Sequence, residues 1–94
     1  MAQDKPAKQQ KEVQTVKFYP NPAISFINFE FTAKPRVQQT VYIFNFLGKK
    51  VIEQVLSGQK TTVTLSDLYR GVYIFQIRDS RGVITDSGKF QVVK

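Results

Sequence analysis

From Val13 to its end the chain alternates apolar and polar residues with a period of two, the pattern of half-buried β-strands. VQTVKFY (13–19) is a first strand, stopped at Pro20, which has no N–H for a sheet ladder. ISFINFEFT (24–32) puts Ile27, Phe29 and Phe31 on one face and Asn28 and Glu30 on the other. After a turn at AKPR, VQQTVYIFNF (37–46) is rich in β-branched and aromatic residues. Its second half is apolar on both faces, which predicts a central strand covered on both sides.

Leu47-Gly48-Lys49 is expected to be a tight hairpin turn, with glycine supplying a positive φ. KVIEQVL (50–56) continues as a strand, Ser57-Gly58-Gln59 turns, and TTVTLS (61–66) sets Val63 and Leu65 on one side. Asp67–Arg70 reads as a single helical turn or a corner. GVYIFQIRD (71–79) alternates through Tyr73, Phe75 and Ile77, Ser80-Arg81-Gly82 turns, and VITDSGKFQVVK (83–94) closes the chain.

About seven strands with regular turn signals, and no amphipathic helix, predict an all-β fold. The expected architecture is a small antiparallel immunoglobulin-like β-sandwich over residues 13–94, without the Cys and Trp marks of antibody domains. A five-stranded OB-type barrel is the competing architecture. Residues 1–12, rich in Lys and Gln, read as a flexible tail or linker.

Composition narrows the chemistry. The 94 residues make one small domain, which buries only roughly 60% of the surface its unfolded chain exposes, so each large apolar residue matters. Cysteine and histidine are absent, which removes disulfides, thiol nucleophiles and most transition-metal sites, and leaves no side chain that ordinarily titrates near neutrality. Neither a metal nor a cofactor is expected. No apolar run approaches 18 residues, so no membrane insertion is expected either. The N-terminal MAQDKPAKQQKE holds no hydrophobic segment and reads as a chain without its own signal peptide.

A net charge of +7 invites an acidic partner, but the basic residues are scattered and only Lys49 and Lys50 are adjacent. Phe29, Phe31, Tyr73 and Phe75 alternate as core-facing rings do, not as an open stacking platform, so nucleic acid is not an expected partner. Catalysis has little to stand on. Ser87 and Lys89 are the nearest approach to a nucleophile with a base, and they share an exposed strand face. The acids form no paired or metal-binding motif. The expected class is non-enzymatic.

The bracket Pro20-Asn21-Pro22 has a local explanation: Pro20 and Pro22 bias Tyr19 and Asn21 to extended geometry, and Asn21 can bond its own nearby backbone. The expected result is a stiff crossing between the first two strands, with room to pass from one sheet to the other.

Tyr19-Pro20-Asn21-Pro22-Ala23, YIFNFLGKKV, LSDLYRGVYIFQI and GKFQVVK, in that order, together resemble the type A C-terminal sorting domain of type IX secretion cargo in Bacteroidota. The matching positions are Pro20, Asn21 and Pro22; Gly48 and Lys49; Gly71 and Tyr73; and Lys89, Val92 and Lys94. Ser25 and Phe26 after the bracket, and Asp86-Ser87-Gly88 before Lys89, depart from the family pattern.

The resemblance implies a β-sandwich that directs an N-terminally fused cargo from the periplasm across the outer membrane. It also implies recognition by the type IX translocon and removal from cargo by a sortase-like peptidase, cutting between residues 2 and 16. The cargo then stays at the cell surface or is released. Translocon recognition is expected at Lys89, Val92, Val93 and Lys94, with Gly48 and Lys49 near them, while Pro20, Asn21, Pro22, Gly71 and Tyr73 are expected to be architectural. A second resemblance, to short exported Ig-like proteins of Bacteroides, implies instead a stand-alone binding or structural module.

Overall fold

A computed structural model describes residues 16–94; the expected tail and the expected cleavage segment up to residue 15 lie outside the described residues. Seven strands form: β1 (Val16–Tyr19), β2 (Phe26–Phe31), β3 (Gln39–Phe44), β4 (Lys50–Leu56), β5 (Lys60–Thr64), β6 (Gly71–Asp79) and β7 (Ile84–Val92). They make two antiparallel sheets, one ordered β1-β2-β5 and the other β4-β3-β6-β7. The fold is the expected all-β sandwich.

Alternation decides which side chains meet between the sheets. Ile27, Phe29 and Phe31 of β2 face Val41 and Ile43 of β3 and Tyr73, Phe75 and Ile77 of β6 across a single core, closed by Phe90 and Val92 of β7. The four aromatic residues assigned to the core by their spacing are all buried there. Phe75 sits at its middle, edge-on to Phe29 at 5.0 Å and to Phe18 at 4.8 Å. Such aromatic pairs add about 0.5–1.5 kcal/mol each beyond area burial.

Gly88 is explained by the same ring: a Cβ there would lie 2.8 Å from the Phe75 ring edge and 3.4 Å from Phe18. Its bare backbone lets the aromatic cluster reach the edge strand β7. The unusual Asp86-Ser87-Gly88 run therefore includes one packing requirement.

Two local expectations are corrected. β3 is central in its sheet, as predicted, but among the described residues no second layer covers its outer face, where Thr40, Tyr42 and Phe44 are half-buried by neighbouring side chains. Arg78 stacks over the Tyr42 ring at 4.5 Å and supplies part of that cover. The bracket, in turn, does not carry the chain between sheets, because β1 and β2 are adjacent partners in one sheet. Residues 65–70 form a corner, closed by the Leu68 N–H donating to Leu65 O at 3.0 Å, and not a helix.

Candidate functional site

Strand register brings the motifs to one end of the sandwich. Tyr19, Phe26 and Thr64 end the smaller sheet on the same side where Phe44, Lys50, Gly71 and Val92 end the larger one. The loops that leave this end are the bracket (20–25), the β3–β4 hairpin (45–49), the corner (65–70) and the stretch after β7 (93–94). Stretches that lie some 70 residues apart in the chain thus share one surface.

The bracket clamps β7. Ala23 forms a parallel bridge to Val92 of the opposite sheet: its N–H donates to Gln91 O at 2.7 Å and its carbonyl accepts from Val93 N–H at 2.8 Å. Asn21 does not serve its own backbone; its Oδ1 accepts from Gln91 N–H at 3.0 Å, across 70 residues of sequence. The Tyr19-Pro20 and Asn21-Pro22 peptide bonds are both cis. Just before the bracket, the Tyr19 hydroxyl donates to Glu30 at 2.6 Å, and that bond to a carboxylate raises the phenol above its ordinary range. The bracket thus satisfies an edge that would otherwise offer free N–H and C=O groups to other chains.

Lys94 completes the clamp. Its ammonium donates to the carbonyls of Leu65 at 3.0 Å, Ser66 at 3.2 Å and Leu68 at 2.5 Å. Three N–H donors meet three carbonyls of the 65–68 corner, of which Leu65 O also accepts from Leu68 N–H. On the same corner, the Tyr73 hydroxyl donates to Tyr69 O at 2.6 Å, so Tyr73 holds the loop from inside while its ring stacks on Phe90 at 5.9 Å. Gly71 opens β6 between them with a φ of +154°.

The β3–β4 hairpin is organised by Asn45. Its Oδ1 accepts from the N–H groups of Leu47 at 2.9 Å and Lys49 at 3.0 Å. Its backbone N–H donates to Lys49 O and its carbonyl accepts from Gly48 N–H, both at 2.9 Å. Gly48 takes a φ of +88°, a conformation that a side chain at that position would strain. The turn is five residues long and starts at Asn45, two residues earlier than the alternation predicted, and it turns Phe46 and Leu47 outward, 81% and 88% exposed.

The residues expected to face a translocon divide by this geometry. Lys89 is exposed on the outer face, opposite Ile74, and Lys49 is exposed on the hairpin. Val92 points into the core, Val93 is half-buried at the bracket, and the Lys94 ammonium is engaged by the corner. The Gly48-Lys49 hairpin and β7 do share one end of the sheet, but β6 runs between β3 and β7. Sequence reasoning missed Phe46, Leu47 and Tyr69, the most exposed large apolar residues described. The available signal was the Asn45-to-Gly48 spacing, which marks an Asn-organised turn and not the end of a strand.

Among the described residues, no group of three or more His, Cys, Asp or Glu side chains is placed to hold a metal ion. No curated protein matches the chain. The family model of the secretion system C-terminal sorting domain matches residues 17–92, from the second residue of β1 to the last of β7, and so takes in the bracket, the hairpin and the corner of this end. The chain belongs to that family, the sorting domains of type IX secretion.

Proposed function

We propose that this domain is read as a folded sorting signal by the type IX translocon, through the end of the sandwich where the bracket, hairpin, corner and β7 meet. Family membership carries the sorting role and, with it, passage through the outer membrane to the cell surface. The convergence of the family motifs on one surface supports the choice of that end. The role is recognition and not catalysis: the domain travels with an N-terminally fused cargo and is afterwards removed by a sortase-like peptidase acting between residues 2 and 16. Lys89 and Lys49 are exposed charges that meet the translocon, while Lys94 and Val92 hold the surface in shape.

The test fuses the 94-residue chain behind a signal peptide and a fluorescent reporter in a bacterium with a type IX system. Reporter at the surface or in the medium, with a new end within residues 2–16 by mass spectrometry, is the expected result. Removing residues 90–94 would also strip Phe90 and Val92 from the core, so the informative variant is Lys89→Glu, checked for folding by circular dichroism. Reporter retained in the periplasm by a folded, unaltered domain would overturn the proposal.

A further inference from the structure

A two-residue knob stands out at the motif end. Phe46 and Leu47 sit at the apex of the β3–β4 hairpin, 81% and 88% exposed, and Tyr69, 86% exposed, projects from the corner that leads into β6, the neighbour of β3. At the other end of the sandwich, the exposed apolar side chains Val37 and Val83 keep about half of their surface covered, at 46% and 51% exposure. Burying large rings and leucine is favourable, and a small domain gains nothing for its own fold by leaving three such side chains in water.

The knob is also rigid. Asn45 fixes its backbone through four hydrogen bonds, two to its side chain and two to its main chain. A preorganised apolar projection loses little conformational freedom on docking, which suits a protein socket and is not needed for partition into lipid.

Charge surrounds it. Lys49 beside the knob and Arg70 beside Tyr69 are exposed and pair with no carboxylate among the described residues. Lys50 is taken by Glu53 at 2.6 Å, and Asp67 is the one acid in the corner. The surface is therefore an apolar centre with a cationic rim.

The geometry points to Phe46 and Leu47, with Tyr69 on the same end of the sandwich, as the anchor that seats in an apolar socket rimmed by carboxylates on a protein of the secretion machinery. This inference rests on the sorting reading and adds residues that the motif comparison does not single out. Lys49 and Arg70 meet the acidic rim, and the knob fills the socket.

The test uses the same reporter fusion. Phe46→Ser with Leu47→Ser is expected to reduce surface reporter at least tenfold, with the folded domain collecting in the periplasm and its melting temperature unchanged. Lys49→Glu with Arg70→Glu, which leaves the knob intact, is expected to reduce it severalfold, and this pair still tests the rim if the first variant fails to fold. Val37→Ser with Val83→Ser at the other end should export normally.

Normal export of a folded knob variant beside an exported wild type would overturn the socket while leaving the sorting reading intact. Failure of the wild type itself would instead strike the sorting reading. Purified wild-type chain that co-sediments with phosphatidylglycerol vesicles, or self-associates in ultracentrifugation, through Phe46 and Leu47 would replace the protein socket with a lipid surface or a second copy.

Discussion

The two ends of the sandwich solve the same problem, closing strands into loops, in opposite ways. At the far end two turns, β4–β5 and β6–β7, close on themselves. The Asp79 carboxylate accepts from the N–H groups of Arg81 and Val83 within four residues, and Ser57 and Thr61 exchange two hydrogen bonds across the β4–β5 turn. At the motif end the ties are long: Asn21 to Gln91, Ala23 to Val92 and Val93, and Lys94 to the 65–68 corner. A locally closed turn can form in a chain that has not folded. These long ties exist only once both sheets have met, because they join the bracket to the last strand and Lys94 to the corner. A partner that recognises these ties therefore reads the completed fold.

The strongest way to break this contrast is to place one charge at each end. Ala23→Glu puts a carboxylate where the native side chain is fully buried against β7. An unpaired buried charge costs several kcal/mol, a large share of the roughly 5–15 kcal/mol that holds such a domain folded. The domain is expected to lose cooperative unfolding in calorimetry. Val83→Glu, on the half-exposed far turn, is expected to shift stability by no more than about 0.5 kcal/mol. Equal effects would mean that the ends are not built differently.

A smaller effect tests the Lys94 clamp. Lys94→Met keeps most of the aliphatic stem but removes all three N–H donors from the corner carbonyls. Part of the lost interaction is regained as water reaches those carbonyls, so the expected cost is about 1–3 kcal/mol. Hydrogen exchange should localise it: the Val93 and Leu68 amides should exchange faster, while the Arg81 and Val83 amides at the far end keep their rates.

What the chain disclosed before folding follows the same division. β4 and β6 begin and end where the alternation and the turn glycines put them, and the core aromatics were legible from period two alone. Those features are local. The role of Asn21 was not legible, because its partner lies 70 residues away and local chemistry offered an equally good N–H donor in its own nearby backbone. Phe46 was read as strand because it extends the β-branched and aromatic run 37–46; the Asn45 side chain, by capturing two N–H groups, ends the strand at Phe44, two residues earlier. Lys94 looked like a free surface charge for the same reason as Asn21: nothing near it in sequence announces the three carbonyls it meets.

The smallest expected effects lie at the far end and separate its two carboxylates by sign. The Arg81 guanidinium beside Asp79, helped by the Val83 and Arg81 N–H groups, outweighs burial and holds Asp79 below the usual carboxylate range. Its folded pKa is thus lower than its unfolded one, about 3.9. Its contribution is complete above that value and is lost as pH falls through the folded pKa. Burial pushes Asp86 the other way, against the N–H groups of Ser87 and Val16 that stabilise its charge. Its contribution is present below about 3.9 and fades as pH rises through the raised folded value. Melting temperatures from pH 2 to 7 should show the wild type's advantage over Asp79→Asn vanishing toward the acid end. The wild type should change in the opposite sense against Asp86→Asn, losing ground as the pH rises. Parallel curves for both variants would mean that the two sites are not poised oppositely, and that the far turn owes its order to backbone geometry more than to charge.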